Sequence, residues 1–119
     1  MNKETITVGL IRGRHPLPVS NYIFNDAIVD VHDYMAINDH IYDFLNYEVG
    51  IDIVDGVGLN QYGTLELMVY SGRAELVVYV TGLTCVTAAL VAACAMYGVK
   101  LTLMNYDSVS GTYIPQRIF

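Results

Sequence analysis

One stretch constrains this chain more than any other: Leu76 to Val99 carries no charged residue. A membrane-spanning helix needs about 20 apolar residues, so length alone permits a span. The composition argues otherwise. Its first part, "LVVYVT", is β-branched and aromatic, which suits a strand. Gly82 and the threonines at 81 and 84 interrupt the middle, Gly98 stands where a helix C-cap glycine would stand, and "VKLTLMNY" then alternates like a second strand. The reading is strand, tight turn, buried helix, strand: a βαβ unit with parallel strands. Thr81 or Thr84 is the expected N-cap of a helix running from about Thr84 to Tyr97. That helix has no polar side, so it is expected to be buried all round, against the sheet and against either the first helix or the same helix of a second subunit.

The rest of the chain supplies further elements. "ETITVGLI" reads as a first strand, Thr5 to Ile11, ended by "RGRHPLPV". "YIFND" reads as a short strand or a turn. Tyr34, Ile37, Ile41, Phe44 and Leu45 recur at helical spacing behind a capping Asp33, with an acidic outer face. A brief strand at Ile51 to Val54 precedes a Gly-rich loop. "TLELMVY" and "AELVVYV" are expected to form a hairpin turning at Ser71-Gly72-Arg73. "VKLTLMNY" and "TYIPQRIF" are expected to form another. The fold class expected is α/β: residues 1–119 as one domain, with a mixed twisted sheet, a parallel βαβ core, two main helices and hairpin edges.

Charge narrows function. Twelve acids against six bases give a net charge of −6, too few cations for duplex nucleic acid or an anionic membrane surface. Hydrophobic residues make up 54 % of the chain and charged residues 15 %. Burial in a homo-oligomer accounts for that excess, and ten tyrosines suit half-buried positions. Cys85 and Cys94 lie about 180° apart around the predicted helix and cannot pair with each other there. No CxxC spacing indicates zinc or redox chemistry, no metal or cofactor is expected, and with no visible signal peptide the expected compartment is the cytoplasm.

The expected site is a rim of the sheet. Ligands of open α/β sheets collect at the carboxyl ends of parallel strands, beside helix N-termini whose free N–H groups hold anions. "TGLT" (Thr81, Gly82, Leu83, Thr84) occupies such a place; its alternative role is simple capping. Arg12, Arg14 and His15 of "RGRH" follow the first strand and share that rim if the strands are parallel; their alternative role is a solvated loop. His15 is the candidate general acid, because it titrates near neutral pH. Asn60 and Gln61 in the Gly-rich loop, and Arg117 near the end, are further candidate ligand contacts. His32 and His40, near Asp30, Asp33 and Asp39, fit a solvated acidic face better than a metal site.

A strand ending in "TGLT" and opening a small-residue helix resembles the Thr/Gly-rich turn of CARF-type domains, and "RHP" after the first strand is similar to the basic motif of small CRISPR-accessory ring nucleases. The resemblance implies a Rossmann-like homodimer of anti-phage defence that binds a cyclic oligonucleotide, sequestering it or cleaving it without metal. It maps Thr81, Gly82 and Thr84 to the phosphate turn, and Arg12, Arg14 and His15 to the ligand loop. The double glycine and following lysine common in those turns are missing here. The competing expectation is a non-enzymatic interaction or inhibitor protein of a bacterium or mobile element, using an acidic, tyrosine-rich surface.

Overall fold

The computed structural model describes residues 4–13, 16–26, 28, 30–56 and 68–119. Strand β1 (Glu4–Ile11) leads to β2 (Tyr22–Phe24), helix α1 (Tyr34–Phe44), β3 (Ile51–Gly56), β4 (Met68–Gly72), β5 (Ala74–Tyr79), helix α2 (Thr84–Met96), β6 (Leu101–Asp107) and β7 (Thr112–Arg117). Five strands form one mixed sheet in the order β2-β1-β5-β6-β7. All neighbours are parallel except β7, which pairs antiparallel with β6. This is an α/β fold with the expected βαβ unit at β5–α2–β6 and the expected hairpin at β6–β7.

Alternation explains the sheet. Ile6, Val8 and Leu10 of β1 align with Leu76 and Val78 of β5 and with Leu101 and Leu103 of β6. Most of that row is fully buried, as expected where side chains two apart line one face. Ile37, Ile41 and Leu45 of α1 and Val86, Leu90 and Cys94 of α2 complete the same core cluster. The two helices touch each other, so both cover one face of the sheet. The other face carries Thr7, Val77, Tyr79, Thr102 and Met104, with the Tyr22 ring and Leu17 lying over Gly9.

Helix α1 begins where its sequence signal placed it: the Asp33 carboxylate accepts a hydrogen bond from the Ala36 N–H at 3.1 Å. Its last turn widens into a π-helical stretch, Leu45–Val49, closed by the Gly50 N–H on the Leu45 carbonyl.

Two expectations need correction. The strands either side of Ser71-Gly72-Arg73 do not form a hairpin. β4 pairs antiparallel with β3 in a separate two-stranded sheet, while β5 enters the main sheet. The chain bends at Arg73 because Gly72 N–H donates to the Gly98 carbonyl and Arg73 N–H to the Gly50 carbonyl, bonds to segments far away in sequence. Next, neither Thr81 nor Thr84 caps α2: the N-cap is Leu83, without a side-chain hydrogen bond, and Thr84 is already helical. Within the single chain, α2 buries one side. Val86, Leu90 and Cys94 form one buried stripe, whereas Ala88, Ala92, Ala95 and Met96 are exposed. Among the described residues, no helix is long and apolar enough to cross a membrane.

Candidate functional site

The order β2-β1-β5-β6 contains a reversal. From β1 the chain steps to β2 on one side; it then crosses to β5 on the other side and continues outward to β6. Connections leaving adjacent strands in opposite directions open a crevice at the strands' carboxyl ends, where ligands of such sheets bind. Here the crevice lies between the ends of β1 and β5. Because β1 and β5 are parallel, the segment after Ile11 and the turn after Tyr79 leave the sheet at the same rim.

A groove of about 570 Å³ occupies that rim. Pro16 lines it from the β1–β2 connection, Val80, Thr81 and Gly82 from the turn before α2, Asn105 and Tyr106 from β6, and Tyr113 from β7. None of these residues is charged. The Gly82 backbone has φ 35°, in the left-handed region where a residue without Cβ is favoured. Thr84 opens α2 beside the groove, where N–H groups of the first turn lack intrahelical acceptors, whereas the N–H of the N-cap Leu83 donates to the Thr81 carbonyl.

Thr81 is the anomaly of the site. It is 2 % exposed, and its hydroxyl has no hydrogen-bond partner among the described residues. Leaving a buried hydroxyl unpaired costs about 1–3 kcal/mol. By contrast, Thr87 one turn into the helix returns its hydroxyl to the Leu83 carbonyl at 3.2 Å.

Asn105 is held by its own amide, which donates to the Gln116 side-chain oxygen at 2.9 Å. Asp107, two residues further along β6, accepts hydrogen bonds from the backbone N–H groups of Val109 and Ser110. The Ser110 side chain first, and then the Val109 N–H, hold its carboxyl below the usual carboxylate range. That charge is thereby committed to the β6–β7 turn.

The remaining candidates divide. Arg12 is at the same rim as Thr81, but its guanidinium lies 4.9 Å above the Tyr22 ring and donates to the Ser20 carbonyl at 3.5 Å. Arg117 sits opposite Thr102, at the start of β6 and so at the other end of the sheet, and its Nε donates to the Phe119 carbonyl. Arg14, His15, Asn60 and Gln61 lie outside the described residues. His40 contacts the Ile23 carbonyl and stacks on Phe24, and His32 faces Tyr34. Among the described residues, no group of three His, Cys, Asp or Glu could hold a metal ion. Pro16, Asn105, Tyr106 and Tyr113 escaped the sequence reading. The rule that pointed to "TGLT" at the end of β5 points equally to "NYD" at the end of β6, and Tyr113 follows as the hairpin partner of Tyr106.

Compared with known proteins, the chain matches no family model, no curated protein and no solved structure.

Proposed function

We propose that this protein binds a small phosphate-bearing ligand, a nucleotide or cyclic oligonucleotide, in the groove between Pro16, Thr81, Gly82 and Tyr106. The observation that carries this reading is Thr81, which lines the groove and keeps a buried hydroxyl without a partner among the described residues. In this reading the Thr81 side chain rotates to present its hydroxyl to a ligand oxygen, the partner it lacks. The opening turn of α2 adds N–H donors and the positive end of its dipole. The reversal in strand order supports the same place, in a sheet whose β1–β5–β6 portion is Rossmann-like in this reading.

Arg12 adds positive charge to the rim. Cleavage of a cyclic ligand is a separable addition, with His15 as its acid; binding does not require it. The protein-interaction alternative is favoured by a different observation: Tyr34, Met35, Tyr47 and Met96 are large, apolar or aromatic, and exposed. A thermal-shift screen separates the two. Mono-, di- and cyclic oligonucleotides raise the melting temperature of a nucleotide-binding protein by mass action and leave an interaction factor unchanged. No shift with any of them at millimolar concentration overturns the binding reading.

A further inference from the structure

The groove has two halves of different chemistry. At one end are Thr81, Gly82 and the start of α2, which suit an anion. At the other are Tyr106 and Tyr113. An inorganic phosphate would use the first half and leave the second without purpose.

The tyrosines are built as a group. Tyr106 and Tyr113 are direct cross-strand partners, with ring centroids 5.5 Å apart at 62°. Tyr113 in turn meets Tyr79 at 4.8 Å and 73°. Edge-to-face contacts of this kind fix ring orientation. Tyr106, at the end of the row, is 60 % exposed and lines the groove. A ring that is anchored yet open is a stacking surface. The Asn105 side chain, held by Gln116, makes no other hydrogen bond among the described residues. That side chain projects from the face of β6 that carries Leu103, so of the two neighbours Tyr106 is the one offered to a ring on the tyrosine side. Uncharged walls, few polar groups and aromatic cover are the usual lining of a site for a flat heterocycle.

We propose that Tyr106 is the stacking platform for the aromatic heterocycle of the ligand. The proposal rests on the reading of the Thr81 end as the phosphate site. The ligand class is thereby a planar heterocycle joined to a phosphate through a sugar or sugar-alcohol chain. Nucleotides and flavin mononucleotide share that chemistry; sugar phosphates and pyrophosphate do not.

The test is a titration of the full chain followed by tyrosine fluorescence, which no tryptophan obscures. The probes are AMP, GMP, CMP, UMP and flavin mononucleotide, each against ribose 5-phosphate. A stacked base contributes enough that at least one heterocyclic probe is expected to bind about tenfold or more tighter than ribose 5-phosphate. Tyr106→Ala is expected to erase that difference while ribose 5-phosphate binds as before; Tyr106→Phe is expected to retain it. The class of the preferred probe separates nucleotide from flavin. Equal affinity for ribose 5-phosphate and every heterocyclic probe overturns the platform and leaves the phosphate reading standing. A preference that survives in Tyr106→Ala overturns it as well. If neither kind of probe binds, the phosphate reading fails and the platform with it. Circular dichroism of Tyr106→Ala, an exposed position, guards against a folding artefact.

Discussion

Gly98 packs directly against the main-chain carbonyl of Tyr70. Its φ is 64°, and a Cβ there would overlap the Tyr70 oxygen. Gly98 thus serves twice. It ends α2 in a left-handed conformation, and it lets the β3–β4 arm approach the base of the main sheet, where Gly72 N–H reaches the Gly98 carbonyl at 3.1 Å.

Gly98→Ala is therefore expected to destabilise the protein by more than the conformational cost alone. Gly111 provides the control, with φ 72° and no atom within 4 Å of the place a Cβ would take. Gly111→Ala should cost about 1–2 kcal/mol. Gly98→Ala should cost at least about 1 kcal/mol more, because the methyl meets backbone rather than a movable side chain. Urea denaturation of the two variants measures the difference. Equal losses would mean that the arm yields without resistance.

Thr81→Val should separate stability from binding. The substitution keeps the shape and removes a hydroxyl that is buried without a partner. Without ligand, the variant is expected to be about 1 kcal/mol more stable than the wild type, raising the melting temperature by about 4 °C. Nucleotide-dependent thermal shifts should shrink, while Thr81→Ser should preserve them. A variant that is clearly less stable would show that the hydroxyl has a partner in the free protein.

The two thiols should differ in reactivity. Cys94 is fully buried, and burial pushes its thiol up to about 12. Cys85 is half-buried and touches the Val31 carbonyl through its sulfur at 3.6 Å. An aromatic disulfide reagent at pH 8 is expected to label Cys85 first and Cys94 only on unfolding. The sign of the pH effect follows. An unfolded thiol loses its proton near pH 9, whereas native Cys94 keeps it to about 12. Stability should fall as pH rises from 9 to 12, by at most about 1.4 kcal/mol per unit from this group. Cys94→Ala should remove that part of the slope in denaturation curves taken across this range.

Self-association is expected through the outer face of α2. Ala88, Ala92, Ala95 and Met96 are exposed there, and the helix carries no charge along its length. The outer surface of α1 carries Asp39 and Asp43, which would repel their copies across a two-fold axis. Light scattering at micromolar concentration should report a dimer, and Ala92→Lys should convert it to a monomer. A monomeric wild type would remove this expectation.

Much of the architecture could be read from local pattern. Alternation marks β1, β5 and β6, because a strand shows one side to the core. Helical spacing and a capping aspartate mark α1. The charge-free run resolves into most of β5 and all of α2, with β6 following Lys100, because β-branched residues, Gly82 and Gly98 punctuate it at the right places. All of these depend on residues a few positions apart. The rest depended on contacts between distant segments. Adjacent strands with a turn-like Ser-Gly-Arg between them resemble a hairpin, and it took Gly50 and Gly98 to send β4 and β5 into different sheets. A threonine before a helix is a good cap on paper, yet here the backbone places Leu83 at the cap and leaves the buried Thr81 hydroxyl without a partner among the described residues. The composition of that groove joins Pro16 to Thr81, Asn105 and Tyr113. Sequence spacing carries no record of such a meeting, because hydrogen-bond satisfaction and groove lining are set by whichever segments the sheet order brings to one rim.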